Sequence, residues 1–211
     1  VRRHRLAHVP VSAKMRLGFH DDDLAEDCAR AVEAGGADEL VVHARTKAHG
    51  YKPPAYWERI ADIKAAVRLP VVANGEIWNV DDARRCVAVS GCTDIMLGRG
   101  IVADPGLALA ILFDQGLPTG GSAEPDWSSL QPLLGYFWQL ILANVEPRAR
   151  TGRMKQWLNY MRRRHPEAQE AYMQIRTLTD SRLVDPIVKS WCEGAPPCAT
   201  QTQSASTISE D

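Results

Sequence analysis

The chain has 211 residues, 45% of them hydrophobic, enough for one packed domain or for one and a smaller second. Its formal net charge of −1 excludes a global field drawing it to a polyanion, so any such role must rest on a local patch. The five cysteines are odd in number and form no Cys-x-x-Cys pair or metal-ligand spacing, which favours reduced thiols and a cytoplasmic location over a disulfide framework.

No apolar run reaches the roughly 18 residues that a membrane span needs. Residues 1–8 are basic, but no apolar stretch follows them as in a signal peptide. The first residue is Val1 rather than Met, so a piece of a longer protein is expected.

The first strand is predicted over Val11–Leu17. Asp23–Ala34 follows as a helix, with Leu24, Cys28, Ala31 and Val32 near a 3.6-residue period and Gly35-Gly36 as its stop. A second strand is predicted over Glu39–His43. Trp57, Ile60, Ile63 and Val67 mark a helix over Tyr56–Val67. A third strand is predicted over Val71–Ala73, then a helix over Asp81–Val89 with Asn79 or Asp81 as its N-cap. The fourth strand is predicted over Ile95–Leu97. This alternation, at a spacing of about 25–30 residues, marks parallel βαβ units.

The third and fourth strands both run into glycine beside a polar group: Asn74-Gly75-Glu76-Ile77-Trp78 and Leu97-Gly98-Arg99-Gly100. Such paired strand ends look like the last two strands of a (β/α)8 barrel, where backbone N–H groups freed by glycine hold a phosphate. The fold expectation is therefore the second half of a (β/α)8 TIM barrel over residues 1–116. Half a barrel leaves two open sheet edges.

A linker is expected over 117–125, rich in Pro, Gly, Thr and Ser. Residues 126–193 read as a small α-helical bundle domain. Leu130, Leu133, Leu134, Phe137, Leu140 and Ile141 share one helical face, and Met154, Trp157, Leu158 and Met161 the next. Two more helices are expected over Glu167–Arg176 and Leu183–Trp191. The tail, 194–211, has no periodicity and is expected to be disordered.

Several residues could carry chemistry, each with a plainer alternative. Lys14 shares a strand face with Ser12 and Arg16. It is either a cofactor contact inside the barrel or a strand-end lysine reaching solvent. His43 ends the second strand, at the face where barrel active sites lie; a satisfied structural histidine is the alternative. Arg45 has the same two readings, with a salt bridge as the plainer one. Asn74, Gly75 and Glu76 with Gly98 and Arg99 form a candidate phosphate site, or else two tight turns without a ligand. Segment 148–176 holds eight basic and two acidic residues, a local charge of +6. That is the footprint of a polyanion site or a solvated basic helix face. Arg153 and Lys155 lie two apart, about 200° around a helix, so they cannot share a mid-helix face; one of them is expected in a first turn.

Together these residues resemble the tRNA-dihydrouridine synthases. The stretches that match are Ala13–Gly18, Glu39–Thr46, Val72–Ile77 and Met96–Gly100, in order and spacing. Trp78, the run Arg153–Tyr160 and Arg176 look like the bacterial subfamily C, which acts on uridine 16 of the tRNA D-loop. The resemblance implies FMN at the barrel mouth, NADPH as reductant, tRNA as partner and a monomer. It places Lys14 near the N1 side of the flavin, where a cation stabilises the reduced anion, and His43 beside it. Asn74, Gly75, Glu76, Gly98 and Arg99 would line the phosphate site. Arg16 and Tyr51 would face the tRNA, and Arg153, Lys155 and Arg176 would set how it lies. The family's general acid is a cysteine in a Pro-Gly-Cys-Pro-like loop, and this sequence has no such loop. The expectation is that this chain alone neither reduces uridine nor holds FMN tightly. The alternatives are a non-catalytic RNA-binding remnant and another flavin- or phosphate-binding barrel enzyme.

Overall fold

A computed structural model describes residues 9–119 and 126–193. The chain divides into two compact units, Val1–Glu124 and Pro125–Asp211. Most of the expected linker, 120–125, lies outside the described residues, as does the expected tail, 194–211.

In the first unit, strands β1 (Ser12–Arg16), β2 (Glu39–His43), β3 (Val71–Asn74) and β4 (Ile95–Met96) alternate with helices α1 (Ala25–Ala34), α2 (Trp57–Ala66) and α3 (Val80–Ser90). The strands form one parallel sheet in sequential order, β1-β2-β3-β4. This is the architecture of a partial (β/α)8 barrel. Strand β2 is buried on both faces, with Leu40, Val41 and Val42 between 0% and 3% exposed, which is why it reads as a continuous apolar run. On the helical side, Leu40 and Val42 pack with Ala29, Ile60, Ile63 and Cys86.

Local signals explain the helix ends. Asn79, not Asp81, caps α3: its Oδ1 accepts from Asp82 N at 2.7 Å. Gly91, at φ +65°, closes the same helix in the left-handed conformation. Helix α1 starts at Ala25 rather than Asp23, and its preceding residue Leu24 makes no side-chain cap. Arg59 of α2 joins the β1–α1 connection and the first turn of α1 through ion pairs with Asp22 at 2.6 Å and Glu26 at 2.9 Å. Two further helices, α4 (Arg99–Ala103) and α5 (Leu107–Asp114), follow β4.

The second unit comprises α6 (Trp127–Asn144), α7 (Pro147–Met161), α8 (Pro166–Ile175) and α9 (Ser181–Cys192). Asp126 and Asp180 cap α6 and α9, and proline opens α7 and α8. The core brings Leu134, Trp138 and Ile141 against Met154, Leu158, Met161, Ile175 and Val184. Trp138 is fully buried, and its indole N–H donates to Asp185 Oδ1 at 3.0 Å. Leu140 departs from expectation, since it is 43% exposed. It lies on a neighbouring stripe with Leu133 and Phe137, at the rim, while Leu130, Leu134, Trp138 and Ile141 form the buried stripe. Helices α6 and α9 approach closely at Gly135, where an added Cβ would lie 2.7 Å from Cys192 Sγ.

Candidate functional site

Parallel pairing sets the C-terminal ends of the strands level. The register aligns Arg16 with His43, His43 with Asn74, and Asn74 with Met96. These residues and the loops beyond them line an open cleft of about 680 Å3. Of the expected cofactor residues, Lys14, His43, Asn74, Gly75, Glu76, Gly98 and Arg99 all line it, as do Arg16 and Tyr51.

Contacts within the cleft are specific. Lys14 Nζ donates to Asn74 Oδ1 at 2.9 Å, and Asn74 Nδ2 donates to Met96 O at 2.7 Å. The lysine is thereby aimed across β2 at the end of β3. Gly75 and Glu76 both have positive φ, +130° and +52°. At Gly75 a side chain would press on the His43 ring, 3.1 Å from Cδ2, so glycine is what lets histidine and turn meet. The Gly75 carbonyl accepts from the buried Trp57 indole N–H at 2.9 Å.

Glu76 is the hub. Arg99 Nη2 donates to its Oε1 at 2.7 Å, and Trp78 Nε1 donates to its Oε2 at 3.1 Å. Arg45 Nη2 lies 3.1 Å from Oε1 as an ion pair, away from ordinary hydrogen-bond geometry. The Arg99 guanidinium is stacked between Tyr51 and Trp78, 4.8 and 5.1 Å from the ring centroids. Arg16 braces the loop that carries Tyr51, donating to Thr46 O at 3.2 Å and Gly50 O at 3.3 Å.

The electrostatics follow. Burial, then the Arg16, Lys14, Arg45 and Arg99 charges, lower His43 to about 4 from 6.5, so its imidazole is neutral at pH 7. Burial and Arg16 also lower Lys14 from its ordinary value. Burial pushes the Glu76 carboxyl up, but the Trp78 N–H and the Arg45 and Arg99 guanidinium groups outweigh it and hold it low. Lys14, Arg16 and Arg99 line the cleft against the single carboxylate of Glu76, which also pairs with buried Arg45, and this balance suits an anionic ligand.

Cysteine chemistry lies elsewhere among the described residues. Cys28 is exposed on α1, Cys86 and Cys92 are buried, and Cys192 lies on α9. None lines the cleft. Burial pushes the Cys86 thiol up to about 12. The described residues hold no cluster able to bind a metal and no helix long and apolar enough to cross a membrane.

Arg153, Lys155 and Arg176 belong to the second unit. Neither Arg153 nor Lys155 is in a first turn, contrary to the expectation: both sit well inside α7. They therefore project in different directions. Arg153 is exposed, with Nη1 on Gln156 Oε1 at 3.2 Å, while half-buried Lys155 donates to Leu178 O at 2.6 Å. Arg176 is exposed at the end of α8.

Sequence reasoning left Arg45 open and missed the grip of Trp78 and Trp57 on the turn. The one available signal for Arg45 was its place two residues beyond His43 at a strand end.

Comparison with known proteins places the chain in a family. The family model for dihydrouridine synthase (Dus) matches residues 3–128. The chain is 48% identical over 191 residues to a tRNA-dihydrouridine(16) synthase of Aquipseudomonas alcaligenes, covering 89% of this chain and 59% of that protein. It is 46% identical over 194 residues to the enzyme of that name from Cupriavidus necator, covering 92% of this chain and 58% of the relative. With the enzyme of the same name from Pseudomonas putida it shares 50% identity over 181 residues, covering 85% and 55%. The chain thus spans somewhat over half the length of the curated relatives it matches. With four parallel strand ends carrying the cationic cleft and a helical unit after them, the chain belongs to the dihydrouridine synthase (Dus) family.

Proposed function

We propose that the first unit supplies part of the site for the phosphate and ring of FMN, too little to hold it tightly alone, in an enzyme that reduces uridine of the tRNA D-loop, at position 16, with NADPH as electron source. The observation that carries the reading is the cluster of Lys14, Asn74, Glu76 and Arg99 at level strand ends. The residues fit the cofactor: several cations face an open cleft, and nothing lies within 4 Å of a Cβ built on Gly98. Lys14 would sit at the N1 side of the flavin, neutral His43 beside the ring, and Asn74, Gly75, Glu76, Gly98 and Arg99 around the phosphate. The chemistry that a bound FMN supplies is hydride transfer, from NADPH to C6 of uracil.

This chain's own residues bind and orient. Lys14, fixed by Asn74, keeps a positive charge where negative charge develops. The exposed ring of Tyr51, backed by Arg16 and Arg99, offers a face for a base extruded from the loop. In the second unit, Arg153, Lys155 and Arg176 take the tRNA backbone, in a cytoplasmic setting. Reduction also needs a proton at C5, and no described cysteine reaches the cleft. With no Pro-Gly-Cys-Pro-like loop in the sequence, the expected outcome is that this polypeptide by itself forms no dihydrouridine; NADPH-dependent product from it would refute that.

The cofactor reading is tested by comparing FMN with riboflavin, which lacks the phosphate. Thermal-shift titration should show stabilisation by FMN at lower concentration than by riboflavin, with the preference reduced in Arg99→Ala. Equal responses to the two ligands would overturn it.

A further inference from the structure

We propose that Arg45 is a positioning residue for the phosphate-binding turn, tying the Glu76 carboxylate to the loop that carries Tyr51. The inference rests on the FMN reading above. Arg45 lies just beyond β2, and its carbonyl accepts from Leu17 N at 3.1 Å, so its backbone is stitched to the end of β1. Its side chain is 0% exposed. Nε donates to Pro54 O at 2.9 Å, at the far end of the β2–α2 loop, and Nη2 lies 3.1 Å from Glu76 Oε1.

Taking a guanidinium fully out of water is costly unless a carboxylate meets it. Glu76 is the carboxylate that the structure pairs with it, and neither Nη1 nor Nη2 makes a hydrogen bond of ordinary geometry among the described residues. Glu76 has its own reason to need a partner. It is the one non-glycine residue at positive φ among those described, and such a conformation persists only where the surroundings over-determine it. Three groups hold it: Arg99, Trp78 and Arg45. The Arg99 side chain is 32% exposed and would meet the ligand directly, whereas that of Arg45 is 0% exposed. Arg45 thus remains on Glu76 whether or not Arg99 turns to an anion. It lines no part of the cleft and acts through Glu76. A lysine could supply the charge, but not a planar fork that serves Pro54 O and Glu76 together.

The test uses the full 211-residue chain. Arg45→Met, Arg45→Lys and Glu76→Gln are compared singly and in combination. One readout needs no ligand: amide hydrogen exchange over Gly75–Trp78, with α1 as internal reference. The second is the preference for FMN over riboflavin. Arg45→Met should speed exchange at the turn about tenfold without changing α1, and cut the FMN preference about tenfold. In the Glu76→Gln background the same change should add less than about threefold.

Unchanged exchange at the turn overturns the inference. So does faster exchange with the FMN preference intact, which would make Arg45 a stabilising residue only, and so does full additivity with Glu76→Gln. A wild-type chain that binds FMN and riboflavin equally sinks the cofactor reading, while the exchange arm still decides whether Arg45 sets the turn. If Arg45→Met does not fold, Arg45→Lys carries the same comparison, because it keeps the cation and loses the fork.

Discussion

Replacing Gly75 by alanine puts a Cβ 3.1 Å from His43 Cδ2 and 3.5 Å from its Nε2, on a backbone at φ +130°. An L-residue held in that region costs about 1–3 kcal/mol. The His43 ring must also yield, and an off-rotamer ring costs about 0.5–1.5 kcal/mol more. The turn cannot simply relax, because the buried Trp57 indole N–H holds the Gly75 carbonyl at 2.9 Å. Gly75→Ala should therefore destabilise the first unit by about 2–4 kcal/mol, read as a lowered urea midpoint by far-UV circular dichroism. Gly152 gives a control of opposite sign. It is exposed inside α7, with nothing within 4 Å of an added Cβ, so Gly152→Ala should stabilise the second unit by about 0.5–1 kcal/mol. A Gly75→Ala chain within about 0.5 kcal/mol of wild type would show that the turn is not fixed as described.

Three further outcomes are expected. With His43 at about 4 in the folded chain against 6.5 unfolded, the unfolded state binds the extra proton between those values. Stability therefore falls as pH drops through that window; His43→Asn should lose less between pH 7 and pH 5 than wild type, and parallel losses would contradict the assignment. Trp138→Phe removes the indole donor to Asp185, which should lower the second unit's stability by about 1–3 kcal/mol in thermal or urea unfolding. An unchanged midpoint would mean that the bond adds nothing. Arg153→Ala and Arg176→Ala should each weaken tRNA binding and reduce the slope of log K against log[salt] by roughly 1; unchanged slopes would remove both from the interface.

The strands were legible because a parallel sheet covered on both faces needs apolar runs, and Leu40-Val41-Val42 supplies one. Their polar ends, His43 and Asn74, could be read as a level row because parallel strands finish on the same side. Helices α4 and α5 escaped notice. Leu107–Phe113 is apolar throughout, so it has no 3.6-residue contrast to detect, and α4 is only five residues long. The faces of α6 were read too broadly, because two adjacent stripes both looked apolar and only packing shows that Trp138 takes the centre. The Lys14–Asn74 contact joins residues 60 apart. Its members could be named as candidates, but their contact could not be read. Arg45 is the limiting case: a buried ion pair and a surface one have the same sequence, and only the fold decides.

The described cysteines give the first unit an internal clock. Cys86 and Cys92 are sealed in the first unit and Cys192 is wedged against Gly135 in the second, its Sγ on Gln131 O at 3.2 Å. Burial raises all three thiols above their ordinary values, and Cys86 and Cys92, being buried, meet an alkylating reagent only when the surrounding helices part, whereas half-buried Cys192 does not depend on that. Exposed Cys28 labels at once and marks time zero. The lag of Cys86 and Cys92 then times the opening of the first unit, within one unmodified polypeptide and without an added probe.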